Sequence, residues 1–224
     1  AMLRNLPRLN WSIRFGKVTP VFACIDRRLR IIMVSFAIRA SFGVFQIPIA
    51  DEFGWLRTEF SLAIAIQNLA WGIGQPIFGA MAEKIGDRKA IILGAVVYAL
   101  GLILSAGADT PFLLQSYAWL VGFGIAGTGF GVILAVVGRA ASDENRSMAL
   151  AVVTAAGSAG QIFGAPLAEF LLGVMSWQMV FTIFAGTILT VILTLPFMRA
   201  PVKTDRAELE ETMGAILRRA FKDP

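Results

Sequence analysis

The sequence predicts an all-α membrane protein: six transmembrane helices arranged as a 3+3 inverted repeat, followed by a cytoplasmic amphipathic helix. Three observations predict it. The 224 residues are 57% apolar and only 16% charged, whereas soluble domains are near a quarter charged. Six apolar runs, at roughly 31–50, 60–82, 90–108, 112–138, 147–172 and 177–198, are each long enough to cross a ~30 Å hydrocarbon core as a helix. Their connections also sort the basic residues by side. The alternate segments 1–30, 83–89, 139–146 and 199–224 hold 18 Lys and Arg, while the other three loops hold only Arg57. The positive-inside rule then places both termini and the 83–89 loop in the cytoplasm of a multi-pass protein of the inner or plasma membrane.

Taken in order, residues 1–30 form a basic cytoplasmic leader. Arg4, Arg8, Arg14, Lys17, Arg27, Arg28 and Arg30 interrupt it, so it lacks the apolar core of a signal peptide. Leu6, Leu9, Ile13 and Phe15 can form an apolar face lying on a membrane surface; a mobile leader is the alternative. Residues 31–198 form the six-helix bundle. Residues 199–224 form a linker helix, with Asp205 and Glu208 as a capping-box-like start. Its apolar stripe is Leu209, Met213, Ile216, Leu217 and Ala220, with Arg218, Arg219 and Lys222 late, as the helix dipole prefers.

Composition also narrows the chemistry. With no His and a single Cys, Cys24, the usual zinc sites, Ser-His or Cys-His catalysis and an internal disulfide are not expected. No enzymatic constellation, cofactor or metal is called for. The net charge of +5 sits in membrane loops, which speaks against nucleic-acid binding.

The fourth run is rich in glycine (Gly122, Gly124, Gly127, Gly129, Gly131) at spacings that let helix backbones approach closely. An internal repeat runs through the second and fifth runs. At a constant offset of 86, Ser61/Ser147, Ala63/Ala149, Ala65/Ala151, Ala70/Ala156, Gly74/Gly160 and Gln75/Gln161 are identical. Dropping Pro76 aligns IFGA at 77–80 with IFGA at 162–165, and AE at 82–83 also recurs at 168–169. The second run descends towards the cytoplasm and the fifth leaves it, so the copies are inverted, as in the halves of secondary transporters.

Between the second and third runs lies Gly79–Lys89, GAMAEKIGDRK. This stretch resembles the loop between helices two and three of the major facilitator superfamily, G-x-x-x-D-R/K-x-G-R-R/K. Gly79, Lys84 and Gly86 fit it, Glu83 replaces its Asp, and Asp87 shifts the following basic pair to Arg88 and Lys89. The resemblance, to the N-terminal six-helix half, covers about residues 28–222. It implies that the loop is a gating latch whose carboxylate, Glu83, and bases hold the inward gate against the other half. Arg139, ending the fourth run, can pair with that carboxylate or simply anchor its helix. The turn Asp51-Glu52-Phe53-Gly54-Trp55 followed by Arg57–Ser61, and the fifth run with Gly157, Gly160-Gln161 and Ala165-Pro166-Leu167, resemble the monocarboxylate-transporter and oxalate/formate-antiporter branch. That implies transport of a small organic anion by alternating access, by proton symport or by exchange.

Candidate substrate-binding residues follow. Arg39 lies mid-span, where a cation costs about 2.5–3.5 kcal/mol on insertion scales, and Ser35, Gly43 and Gln46 share its helix face. A guanidinium grips a carboxylate with two parallel hydrogen bonds; the bland alternative is a structural Arg bonded within the bundle. Gln67, Asn68, Trp71 and Gln75 form a stripe on the second span, and Thr154, Ser158 and Gln161 one on the fifth. Such groups either line a path or join helices. The expected partners are a small organic anion, the bilayer and a second six-helix half, supplied by a C-terminal continuation, a second copy or a separate chain. The competing function is a non-transporting six-helix membrane subunit or assembly factor that keeps the fold as a scaffold.

Overall fold

The computed structural model describes residues 19–142 and 144–194, and every regular element in them is helical. Helix α1 (Thr19–Ser41) passes through a 3₁₀ turn, Phe42–Phe45, into α2 (Gln46–Phe53). Then come α3 (Arg57–Ile85), α4 (Asp87–Ala106), α5 (Pro111–Thr128), α6 (Phe130–Ala140), α7 (Arg146–Leu172) and α8 (Trp177–Thr194). The first described helix thus already includes Thr19, well inside the segment read as a leader. Residues 1–18 and the linker helix expected at 199–224 lie outside the described residues.

Among the described residues, four stretches are long and apolar enough to cross a membrane: Leu29–Phe53, Asp87–Ala106, Pro111–Arg139 and Arg146–Leu172. Six were expected. Helix α3 has the length, at 29 residues, but Gln67, Asn68 and Gln75 lower its mean hydropathy. The apolar part of α8, Trp177–Thr190, is shorter.

Local chemistry explains the joints. Helix α2 stops at Gly54, whose φ of 68° is the left-handed cap that glycine adopts without strain. Gly86, with φ 96°, turns α3 into α4 in a single residue. Helix α5 starts with Thr110 accepting from the Leu113 amide and Pro111 in the first turn.

The core is built by close approach of α5 to α3 and α4, and of α7 to α1. Glycine makes these approaches possible. A Cβ on Gly124 would lie 2.4 Å from the Tyr98 Cα of α4, and one on Gly122 would lie 2.3 Å from the Gln67 carbonyl of α3. One on Gly160 or Gly164 would meet the α1 backbone at Met33 or Ala37. The fourth run's glycines therefore serve packing. Phe42, Phe45, Phe181 and Phe184 seat the 3₁₀ turn on α8, with the Phe45 and Phe181 rings 4.5 Å apart.

Helices α3 and α7 bury the same register. Ala63/Ala149, Gln67/Val153, Gly74/Gly160, Phe78/Gly164 and Ala82/Ala168 are buried pairs at an unbroken offset of 86. The realignment that drops Pro76 does not fit: it pairs Phe78, 4% exposed, with Phe163, 67% exposed. Both helices are continuous through their prolines. Removing one residue from a continuous helix would rotate the remainder by about 100°, so the IFGA match is fortuitous and the AE pair belongs to the offset of 86.

Candidate functional site

Arg39 projects from α1 towards α3. Its Nη2 donates to Asn68 Oδ1 at 2.9 Å, while the Asn68 amide nitrogen donates to the Ile64 carbonyl at 3.0 Å, which orients the side chain. The guanidinium lies 4.6 Å from the centroid of the Trp71 ring and 5.9 Å from that of Phe36. Phe36 in turn packs edge-on to Trp71 at 5.9 Å and against Phe130 of α6 at 4.3 Å. Cation–π contact of this kind contributes about 0.5–2 kcal/mol, more when desolvated. Two donors here are buried without an acceptor: Arg39 Nε and Trp71 Nε1. Among the described residues no carboxylate pairs with Arg39.

The structure brings together Arg39, Asn68 and Trp71 of the predicted substrate residues, and adds Phe36. It does not bring the other three into that contact. Gln46 donates to the Arg57 carbonyl at 3.0 Å and to Ser61 Oγ at 3.1 Å, tying α2 to the start of α3. Gln67 is buried and lines a crevice with Phe42, Ser105 and Leu114. Gln161 is half-buried on α7, beside the Gly160 contact with α1.

Ser35, expected on the Arg39 face, belongs to the packing. Thr128 Oγ1 donates to the Gly124 carbonyl at 2.9 Å, so Ser35 Oγ is the donor in their 2.8 Å contact. Tyr98, fully buried, donates to the Ser35 carbonyl at 3.2 Å. These hydroxyls join α1, α4 and α5.

The loop residues separate differently from expectation. Arg139 Nη2 meets Asp87 Oδ1 at 2.5 Å, so the carboxylate it pairs with is Asp87 rather than Glu83. Asp87 opens α4, where an acid also suits the helix dipole. Glu83, Lys84, Arg88 and Lys89 are exposed, and Gly79 is half-buried with open space where a Cβ would stand. At the other end of α3, Glu59 accepts from Gln115 of α5 at 2.9 Å. Beyond it, Glu52 accepts from the Trp177 indole and from Gln178 of α8.

Long apolar helices packed through glycine, with the Arg39 guanidinium inside the first of them, define a multi-pass membrane protein. The family model described as Major Facilitator Superfamily matches residues 31–224. The chain belongs to the Major Facilitator Superfamily. It is 30% identical over 194 residues to the uncharacterized MFS-type transporter YcxA of Bacillus subtilis (strain 168), covering 86% of this chain and 45% of that protein. It is 28% identical over 186 residues to the multidrug resistance protein MdtH of Yersinia enterocolitica, covering 79% of this chain and 44% of that one. MdtH of Yersinia pestis (strain Pestoides F) matches at 29% identity with the same coverage. The chain thus spans less than half the length of these curated relatives.

Proposed function

We propose that this chain is the N-terminal six-helix half of a secondary transporter for small organic anions, with Arg39 gripping the carboxylate. The carrying observation is the pair of buried donors, Arg39 Nε and Trp71 Nε1, that no acceptor among the described residues satisfies. A buried donor without an acceptor costs about 1–3 kcal/mol, more at a charged group. A carboxylate supplies two acceptor oxygens and the missing negative charge together. A cationic substrate would instead meet an uncompensated guanidinium.

In this reading residues 31–198 form the 3+3 inverted bundle, between a basic cytoplasmic leader and a linker helix at 199–224. Its support is the shared burial register of α3 and α7, and the matching closeness of α1 with α7 and α5 with α3. Alternating access needs a second half, whether a continuation, a second copy or another chain; the relatives' greater length favours one. The Gly79–Lys89 loop, including Glu83, Gly86, Asp87 and Arg88, is its cytoplasmic latch, with Arg139 as the base facing Asp87. Monocarboxylates are the substrate class we favour, moved by proton symport or exchange.

The test is counterflow of labelled monocarboxylates in proteoliposomes holding this half with its partner half. Saturable uptake competed by carboxylates is expected; uptake competed only by organic cations overturns the anion reading. A milder variant examines the second donor. Trp71→Phe keeps an aromatic face on the guanidinium but removes the indole N–H, and should raise the half-saturation concentration about tenfold, the scale of one hydrogen bond to a charged group. An unchanged value would return Trp71 to a packing role.

A further inference from the structure

The two helix breaks in the bundle fall at equivalent positions of the repeat. Between α1 and α2 the chain passes through the 3₁₀ turn Phe42–Phe45. Between α5 and α6 it passes through Gly129, extended at φ −96° and ψ −161°. At the offset of 86 that aligns the burial of α3 and α7, Gly43 coincides with Gly129. Each break leaves a short end segment, 8 residues in α2 and 11 in α6.

Each end segment is tied at its tip, by a carboxylate contact, to the first turn of another helix. For α6 the tie is Arg139 to Asp87 at the start of α4. For α2 it is Glu52, which accepts from the Trp177 indole N–H and, at 3.1 Å, from the Gln178 amide at the start of α8. Phe53 backs this contact, stacked on Trp55 at 4.7 Å and edge-on to Trp177 at 6.1 Å. The ties lie at opposite ends of the bundle, because α3 runs from beside α2 to beside Asp87, a length of about 43 Å at 1.5 Å per residue.

We infer that Glu52 is a latch residue, which holds α2 shut against α8 while the 3₁₀ turn serves as its pivot. Two features fit α2 to that task. Gly43 has nothing within 4 Å of where a Cβ would stand, so packing does not hold the turn rigid there, and glycine adds backbone freedom. The latch is also releasable: Glu52 is exposed, whereas Trp177 is only 4% exposed. Release therefore moves the carboxylate into water while the indole N–H loses its acceptor, which sets the closed state as the resting one. The inference rests on the fold and not on the identity of the substrate.

The experiment uses the purified membrane protein with Cys24→Ser, spin-labelled at Asp51→Cys and Val174→Cys, two exposed positions flanking the latch. The unlatched protein is made with Glu52→Ala, and with Glu52→Gln as the shape-preserving variant. Wild type should give one narrow distance distribution. Glu52→Ala should add a longer-distance population, enriched on the order of tenfold, and Glu52→Gln a smaller one. Adding Gly43→Ala, which stiffens the pivot, should shrink that population. A merely structural contact would lower the melting temperature without creating a second distance. An unchanged distribution in Glu52→Ala, with wild-type helicity, overturns the latch; a second population that Gly43→Ala leaves untouched overturns the pivot.

Discussion

Arg39→Gln is expected to abolish anion binding while leaving the bundle folded. Truncating one partner of a buried, hydrogen-bonded charge pair costs about 2–5 kcal/mol, which corresponds to at least ~30-fold in apparent affinity. The packing of Phe36 against Trp71 and Phe130 does not depend on the charge. Arg39→Lys separates charge from geometry. Lysine keeps the cation but loses Nε and the planar fork, so it should retain part of the affinity. Equilibrium binding of a labelled monocarboxylate to the purified protein, with circular dichroism as the fold control, measures both. Wild-type affinity in Arg39→Gln would make the residue structural.

The second large effect concerns packing. Gly124→Leu should prevent assembly of the bundle, and Gly124→Ala should lower its melting temperature by several degrees. Even the alanine Cβ would sit 2.4 Å from both Cα and Cβ of Tyr98, and backbone atoms cannot step aside as a flexible side-chain tip can. Helices α4 and α5 would have to separate, disturbing the Tyr98 contact with the Ser35 carbonyl. Overpacking a tight core costs about 1–3 kcal/mol and sometimes more. Gly43→Ala is the control, since its Cβ would meet nothing. Thermal unfolding in detergent compares the two directly, and equal melting temperatures would refute the account.

Much of this was legible in residue order, for identifiable reasons. A charge inside an apolar run is conspicuous, so Arg39 stood out, and helical spacing brought Asn68 and Trp71 to one region of α3. The glycines of α5 pointed to close packing because small residues at that spacing do little else. Gln46 was misread for a geometric reason. Seven residues from Arg39, it shares a face on an unbroken helix. The 3₁₀ turn at 42–45 advances faster per residue than an α-helix and shifts the phase by about 80° over four residues. Asp87 displaced Glu83 as the partner of Arg139 because Gly86 turns the chain in one residue and places Asp87 at the head of α4. The tie of Glu52 to Trp177 joins residues 125 apart in sequence, and no local pattern announces such a pair.

The common burial register of α3 and α7 has a consequence for how this protein tolerates change. Two segments that bury matching positions turn the same face inward, although the room at each position differs. Burial at position n of α3 therefore marks burial at position n + 86 of α7, as for Gln67 with Val153 and Phe78 with Gly164, even though Gly164 has no room for a Cβ where Phe78 seats a ring. A scan that places one charged residue at each position of the two helices should yield tolerance profiles that superimpose at a shift of 86 and lose phase at 85, because a buried charge is costly in either helix. The bundle would then carry two readings of one set of packing instructions, each able to check the other.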